Sequence, residues 1–403
     1  MEAHNEPRMD SHNRRKHHTR WFNTVIFFAC LFVSAPLVLH AQQAKLDLTQ
    51  PYVLLATSKT STMQKELDQA AFAGYRVLMG ARAATGEMGL LLEKAQTPEV
   101  YAYKLLATSR TSTMQKELDQ AALEGFRILP RTLMGGKSEI VVILEKPPGA
   151  RSSTQYKLIA TKLTGTLQTE MKQATRDGFE VVSVVSRNEH MVILEKTAQP
   201  APRPSGVPER YLLLATEKTS SMQKELEQNA RIGYRLLAGS STSGSEIAMF
   251  MEQMEQPTAL FEYKLLATNR ASTMQNELNV AAFEGYRLLW KTLAGKRRSA
   301  GGFFGRVLRE TVTPGGVGLP GVTADEVVAV MERSPGSTDR YEYRVLDTGR
   351  TSTMQTEISK AVSDGYELAA MVGSPGSEND NLPVPVLANL IVVMERPAVR
   401  PTP

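Results

Sequence analysis

Residues able to perform acid–base or metal chemistry are scarce in this sequence. It contains six histidines and one cysteine, and Cys30 and five of the histidines lie within the first 41 residues. Only His190 lies beyond them, in the segment Arg187-Asn188-Glu189-His190. Acid–base catalysis and metal binding need positioned partner groups, and residues 42–403 offer no second histidine and no cysteine. We therefore expect His190 to be an exposed loop residue, and we expect no catalytic, metal or cofactor site.

Other catalytic patterns are also missing from the sequence. A single histidine excludes a Ser-His-Asp set, and neither G-x-S-x-G nor G-x-x-x-x-G-K-[ST] occurs. The glycine-rich segment 299–321 lacks the strand–glycine–helix order of a phosphate loop, and segment 377–381 lacks the ligand spacing of a calcium loop. An enzyme would need a site made of carboxylates alone, as in glycosidases. A carboxylate-only hydrolase is therefore the least favoured alternative.

The first 41 residues have the layout of a secretory signal. The basic stretch Arg14, Arg15, Lys16 and Arg20 precedes an apolar run over 21–39, and a small residue, Ala41, follows it. An uncleaved membrane anchor of about 19 residues is the alternative. Both interpretations deliver the remaining chain across a membrane, so we expect a periplasmic or secreted protein, or one that is anchored in the membrane through this segment alone.

The composition describes a folded chain that is close to neutral after export. Hydrophobic residues make up 42% and charged residues 22% of the sequence. The first 41 residues hold five of the 47 Lys and Arg and three of the 42 Asp and Glu, which leaves a net charge of +3 on residues 42–403. Such a balance argues against nucleic acid as a partner.

A motif of the form YKLLAT…STMQKEL…EGF occurs six times. Each copy opens with a tyrosine and has Thr, Gln, Glu and Gly at fixed distances of five, 12, 14 and 22 residues; the tyrosines are Tyr52, Tyr103, Tyr156, Tyr211, Tyr263 and Tyr343. The copies define modules at 50–97, 101–148, 154–197, 210–255, 261–334 and 341–397. Modules five and six carry insertions at 296–324 and 374–388. The repeat makes a tandem array the expected architecture.

The modules also show a period of three. Arg follows the Gly-aromatic pair in modules one, two, four and five, whereas modules three and six have Glu180 and Glu367 there. Module two continues with RTLMGGK and module five with KTLAGK. The proline-rich linker 198–209 separates modules three and four. We infer a three-module unit that was duplicated.

Each module reads as strand, helix, strand, strand. The opening YKLLAT segment suits a strand, and Ser61 with Gln64 has the spacing of a capping box that starts a helix. Apolar residues at 63, 67, 70 and 71 form one helical face, Glu66 suits the helix N-terminus, and Gly74 ends the helix. The third strand is the most continuously apolar, which places it in the centre of a sheet of order 1-3-2. The fold class is therefore α+β, with six tandem βαββ modules.

One helix covers only one face of a three-stranded sheet. The apolar residues on the other face have no partner within the module, and about 45 residues is near the lower size limit for independent folding. We therefore expect the modules to pack on one another. The recurrent methionines then belong to the helix–sheet core; they are Met63, Met114, Met222, Met274 and Met354.

Modules six and three carry the segments Tyr341-Glu-Tyr-Arg-Val345, Gly365-Tyr-Glu-Leu368 and Gly178-Phe-Glu-Val181. With the terminal Glu395-Arg396, they resemble the EYKV…GWEL…R pattern of a small uncharacterised bacterial domain family. Tyr or Phe replaces the tryptophan of that family in all six modules, and Arg replaces its Glu in four. The resemblance supports the module fold and implies no activity.

The recurrent polar residues have structural explanations. We expect the Gln and Glu to cap helices, the Thr to form turns, and the Glu-Lys pairs that end the third strands to be solvated rims. The insertions are the better candidates for function, because insertions in repeat arrays often carry binding. The candidate contact residues lie in module five; they are Lys296, Arg297, Arg298, Phe303, Phe304 and Arg306.

These observations favour a non-enzymatic, exported repeat protein that binds or scaffolds. The expected partner is a protein or an envelope polymer. The alternative is a small-molecule sensor or carrier with a pocket between modules, which copy-specific residues in such a cleft would favour.

Overall fold

The computed structural model describes residues 46–83, 86–96, 99–135, 139–149, 154–186, 189–198, 209–241, 246–255, 260–268, 270–296, 326–348, 350–373 and 390–398. Residues 46–403 form one compact unit. The expected signal or anchor at 1–41 lies outside the described residues. Among those described, no helix has the length and apolar content needed to cross a membrane.

Every module contains one helix of 13 residues between its first and second strands. The helices are Thr60–Phe72 (α1), Thr111–Leu123 (α2), Thr164–Arg176 (α3), Thr219–Arg231 (α4), Ala271–Phe283 (α5) and Thr351–Ser363 (α6). The first strands are Tyr52–Thr57 (β1), Ala102–Thr108 (β4), Gln155–Thr161 (β8), Tyr211–Thr216 (β11), Glu262–Thr268 (β14) and Tyr341–Asp347 (β18). The alternation that the sequence predicts is therefore confirmed.

The second and third strands follow each helix. The second strands are Tyr75–Arg82 (β2), Arg127–Ile128 with Met134–Gly135 (β5, β6), Glu180–Ser186 (β9), Tyr234–Ser241 (β12), Arg287–Leu288 with Ala294–Lys296 (β15, β16) and Glu367–Gly373 (β19). The third strands are Met88–Lys94 (β3), Ile140–Lys146 (β7), His190–Lys196 (β10), Ile247–Gln253 (β13), Glu326–Arg333 (β17) and Leu390–Pro397 (β20). All pairings are antiparallel and the third strand is central in each sheet, which confirms the order 1-3-2.

Helix entry differs from the capping box that the sequence predicts. The helix of module one begins at Thr60, Lys59 before it is extended, and no side chain caps the free N–H groups. The other five helices also lack a side-chain cap. The hydroxyl of Thr57 instead accepts a hydrogen bond from the Lys59 N–H at 3.2 Å, which is the expected turn role of that threonine. The capping prediction is wrong, and so is the first-turn placement of Glu66, because none of the six helices α1 to α6 has an acidic residue in its first turn.

Helix exit follows the prediction. Gly74 has a φ of 84°, in the left-handed region that favours glycine, and its five counterparts also have positive φ. The N–H of Gly74 donates to the carbonyl oxygen of Ala71 at 2.9 Å. The turn reverses the chain directly into the second strand.

Each helix lies between the sheet of its own module and the sheet of the next. In module one, Met63 and Leu67 are buried against Leu90 on one side and against Val141 and Ile143 of module two on the other. Burying an aliphatic side chain of this size contributes about 1.5–3 kcal/mol. The apolar sheet face that the module cannot cover alone is thus covered by the helix of the preceding module, as predicted.

The series closes on itself. Helix α6 of module six packs against β1 of module one, and one core contains Leu54 and Leu91 together with Met354 and Val392. The closure includes a close backbone approach, because a methyl group on Gly373 would collide with the carbonyl oxygen of Arg82. The six modules therefore form a ring in which every module has two neighbours.

The second strands line the inside of this ring. Strands β9 and β12 lie side by side, as do β19 and β2. In modules two and five, short 3₁₀ turns at Pro130–Thr132 and Trp290–Thr292 interrupt the second strand and contact the second strands on both sides. The same break in modules two and five matches the period of three in the sequence.

In every module, the end of the second strand and the start of the third strand lie on one side of the ring. The start of each third strand pairs with the end of the first strand, for example Met88 with Thr57, so the hairpin lies where the helix begins. Equivalent positions in modules arranged around a ring lie at one level along its axis. The strand ends that flank the two insertions, Lys296 with Glu326 and Gly373 with Leu390, therefore lie on the same side.

Candidate functional site

The recurrent glutamine holds neighbouring modules together. The amide nitrogen of Gln64 donates to the carbonyl oxygen of Tyr103 at 3.1 Å, and its oxygen accepts from the Leu105 N–H at 2.7 Å. Both backbone groups lie on the outer edge of β4, which no strand of its own sheet pairs. Gln115, Gln168, Gln223 and Gln355 make the same pair of bonds. The glutamine thus has a structural role, as expected, although not the predicted capping role.

The opening tyrosine and the strand-end glutamate form a second contact between modules. The hydroxyl of Tyr263 donates to Glu332 Oε2 at 3.0 Å and accepts the Leu236 N–H of module four at 2.8 Å. Arg235, also of module four, pairs with Glu332 at 2.7 Å. Tyr103, Glu145 and Arg76 repeat this set. The prediction of solvated rims is wrong for Glu145 and Glu332, which are 8% and 7% exposed, because the neighbouring module covers them.

Burial controls the ionisation of these tyrosines. It raises the pKa of Tyr156 to about 12, and the Glu195 carboxylate adds to the shift. Burial and the nearby Glu332 carboxylate raise the pKa of Tyr263 well above its usual value. These hydroxyls therefore remain protonated donors over the physiological pH range. They are interface groups rather than bases.

His190 is buried rather than exposed, so the prediction of an exposed loop residue is wrong. It is the first residue of β10 and is 1% exposed. Its Nε2 lies 3.3 Å from Glu246 Oε2. Glu246 directly precedes the third strand of module four. Strand β10 is central in its sheet, so the first side chain of that strand is covered by the next module. No group of three or more His, Cys, Asp or Glu side chains among the described residues could hold a metal ion.

The 3₁₀ turns of modules two and five converge at the centre of the ring. Thr132 is fully buried, donates to the carbonyl oxygen of Leu129 at 2.8 Å and accepts the Ile143 N–H at 3.0 Å. Thr292 does the same with Leu289 and Val330. Each threonine hydroxyl thus replaces backbone hydrogen bonds that are lost where the 3₁₀ turn interrupts the second strand. These bonds fix the two turns that carry Arg131, Trp290 and Lys291.

Three side chains meet there, and we call them the hub: Arg131, Trp290 and Lys291. The guanidinium carbon of Arg131 lies 4.3 Å from the centroid of the Trp290 ring, and Lys291 Nζ lies 5.3 Å from the same centroid. Modules two and five are three places apart in a ring of six, so this contact crosses the centre. All three side chains are half-buried.

The hub carries excess positive charge. Burial lowers the pKa of Arg131, and burial followed by the Arg131 charge lowers the pKa of Lys291. Among the described residues neither cation forms an ion pair. The carboxylates that act on them electrostatically, Glu395 and Glu252, are paired with Arg287 at 2.5 Å and Arg210 at 2.7 Å.

The contact residues predicted from the sequence are not brought into a described site. Lys296 ends strand β16. The others lie outside the described residues; they are Arg297, Arg298, Phe303, Phe304 and Arg306. Segments 299–321 and 377–381 lie outside the described residues as well. Those positions remain predictions.

The hub is absent from the sequence-based candidates. Its signal is the pair of segments Arg131-Thr-Leu133 and Lys291-Thr-Leu293, which occur only in modules two and five. The sequence shows them as a sign of duplication. A search for residues shared by only two modules would have found the site.

Large apolar side chains are exposed where helices end. Phe72, Leu123 and Phe283 are the last residues of α1, α2 and α5, and they are 85%, 82% and 79% exposed. Ile232 follows α4 and is 65% exposed. Single exposed apolar residues are normal, but three of these recur at one position of the module, and Ile232 lies one position later in a fourth module. They lie at the end of the module opposite the hairpins.

No family model, no characterised protein and no solved structure matches this chain. The resemblance to a small bacterial domain family therefore remains a prediction.

Proposed function

We propose that this chain is an exported, non-enzymatic binding or scaffold protein whose ring presents the hairpin side to a protein or an envelope polymer. The observation that carries the proposal is the use of the repeated polar residues. The recurrent glutamine contacts the next module, as in the bonds of Gln64. The opening tyrosine accepts a backbone N–H of the preceding module in modules two to six, and the strand-end glutamate pairs with an arginine of a neighbouring module in modules two, three, five and six. Variation between modules is concentrated in the hairpins and at the hub.

Export is proposed from the sequence. The basic stretch, the apolar run over 21–39 and Ala41 support a cleaved signal, or alternatively an anchor. The proposal includes no disulfide. This agrees with a ring that is held together by the repeated packing of its modules. The proposal favours a non-enzymatic role because residues 42–403 contain one histidine and no cysteine, which leaves a carboxylate-only hydrolase as the enzymatic alternative.

The ring geometry supports the hairpin surface. The strand ends that flank the insertions at 296–324 and 374–388 lie on one side of the ring, and the candidate contact residues belong to the first of these insertions. Apolar helix ends such as Phe72 and Phe283 provide a second surface at the opposite end of the modules.

The proposal is tested by replacing residues 297–325 with Asn-Gly. Lys296 and Glu326 are paired neighbours at the end of the β16–β17 ladder, so a two-residue turn closes the hairpin without changing the sheet. The matched control replaces residues 374–389 in the same way, between the paired Gly373 and Leu390. Both variants and the parent chain are used for affinity capture from envelope extract, with circular dichroism to confirm folding.

We expect the variant lacking 297–325 to lose partners that the control variant retains. Unchanged capture by both variants would remove the hairpin surface from the proposal.

The hub favours a second candidate function, a small-molecule sensor or carrier. Arg131, Trp290 and Lys291 come from two modules only, which is the copy-specific lining expected of a pocket between modules. A thermal-shift screen against small envelope components tests this function. No stabilisation by any compound would count against it.

A further inference from the structure

We propose that the hub binds a small divalent oxyanion of the phosphate class. The inference rests on the second candidate function, and it names the ligand chemistry for that function. It is carried by the convergence of two cations on one indole ring at the ring centre.

The two cations of the hub, Arg131 and Lys291, need a negative charge nearby to balance them. Arg131 and Lys291 come from opposite modules and lie against the same Trp290 ring, so each disfavours the charged form of the other. The indole face attracts cations, but a ring quadrupole does not neutralise two unit charges in a half-buried site. An anion placed between the two cations would remove their repulsion.

The surrounding carboxylates do not supply that charge. Glu252 and Glu395 are the acidic groups that act on the hub, and each is already paired with an arginine: Glu252 with Arg210 of its own module and Glu395 with Arg287 of module five. Among the described residues, no ion pair reaches Arg131 or Lys291. The local balance thus favours a ligand with two negative charges.

The donor set selects an oxyanion. A guanidinium presents a planar fork that matches two oxygens of a phosphate or carboxylate, and an ammonium adds a point charge with three donors. The Trp290 ring offers an apolar face beside those donors, which suits an ester group on a phosphate. The 3₁₀ turns, fixed by Thr132 and Thr292, hold the donors in place before the ligand arrives.

The hub side chains are accessible to solvent. Arg131, Trp290 and Lys291 are each half-buried, so water reaches all three side chains. The hub lies on the ring axis, where one ligand can contact modules two and five at once.

The test is a calorimetric titration of the full chain at constant ionic strength with three probes: inorganic phosphate, phenyl phosphate and phenol. The variants are Arg131→Gln and Lys291→Gln, with Lys291→Arg as the conservative variant. Lys224→Gln is the control, because it removes an exposed cation from a helix surface away from the hub. Circular dichroism and thermal melts confirm that each variant folds.

We expect both phosphate probes to bind, phenol to bind weakly or not at all, and each Gln variant to weaken phosphate binding about tenfold or more. Lys291→Arg retains most of the affinity, and Lys224→Gln leaves it unchanged. Stronger binding of phenyl phosphate than of inorganic phosphate would identify an ester rather than the free ion. If Arg131→Gln fails to fold, the comparison of Lys291→Gln with Lys291→Arg decides.

Phosphate binding that both Gln variants leave unchanged would overturn the inference. Equal binding of phenol and phenyl phosphate, lost in the hub variants, would overturn the oxyanion chemistry and leave the small-molecule function standing. Binding of no probe and no screened compound would remove both.

Discussion

Replacing Gln115 by leucine removes one complete link between modules two and three. The amide nitrogen of Gln115 donates to the Tyr156 carbonyl oxygen at 2.9 Å, and the Leu158 N–H donates to its amide oxygen at 2.8 Å. Leucine has a similar size and cannot make either bond. Both backbone groups lie on the outer edge of β8, where no strand of the sheet can replace them.

The expected loss of stability is about 2 kcal/mol. An unpaired, buried backbone group costs about 1–3 kcal/mol, and the lower end applies here because the edge is only partly buried. The matched control is Gln120→Leu in the same helix. Gln120 is exposed, and its side chain donates a hydrogen bond to Glu124 at the end of the same helix, so its replacement is expected to change stability by about 0.5 kcal/mol or less.

Urea unfolding measures the difference between the two variants, and amide hydrogen exchange at Leu158 locates it. We expect Gln115→Leu to unfold at lower urea and to expose the Leu158 amide, while Gln120→Leu does neither. Equal midpoints for the two variants, or an unchanged exchange rate at Leu158, would refute the role assigned to the glutamine.

Three further changes probe the ring. Tyr263→Phe removes a buried hydroxyl that makes two hydrogen bonds, so we expect a loss of about 2 kcal/mol in urea unfolding; a loss below about 0.5 kcal/mol would contradict the role of the hydroxyl. Gly373→Ala should destabilise the ring closure, because the added methyl group would collide with the Arg82 carbonyl oxygen. Gly165→Ala should stabilise the fold by about 0.5–1 kcal/mol, because Gly165 lies in a helix and has open space around it. Equal effects of the two substitutions would contradict the close approach at Gly373. The pKa of Tyr156 is raised to about 12, so the protonated hydroxyl stabilises the fold below pH 10 and this contribution is lost as the pH rises through 12. Tyrosinate absorbance and unfolding should therefore appear together in that range. Full ionisation near pH 10 in the folded chain would contradict this prediction.

Local structure could be predicted from the sequence because each signal is local. These signals depend on the backbone and on side-chain burial within one module. They are the glycine at the end of each helix, the apolar third strand and the recurrent methionine. Met63 and Met114 are fully buried, as the helical spacing predicts. The need for neighbouring modules also followed from the uncovered sheet face.

Ring closure could not be predicted, because the sixth module presents the same apolar surfaces in an open stack and in a ring. The role of Gln64 was misassigned for a related reason. The same Ser-x-x-Gln spacing fits a capping box and an exposed amide that reaches the next module. The hub was missed because Arg131 and Lys291 resemble solvated residues until the two 3₁₀ turns face each other across the ring.

Closure of the ring is tested most directly by the distances between equivalent residues in different modules. The residue after each recurrent glutamine is exposed and suits a spin label; those used here are Lys65, Lys116, Lys224 and Thr356 of modules one, two, four and six. Each is changed to cysteine in pairs, in a chain whose single cysteine, Cys30, is replaced by serine.

Pulsed electron–electron double resonance then gives three distances from Lys65→Cys. A ring predicts that the distance to Thr356→Cys equals the distance to Lys116→Cys, and that the distance to Lys224→Cys is longer than both. An open array would instead make the distance to Thr356→Cys the longest of the three, and that result would contradict closure.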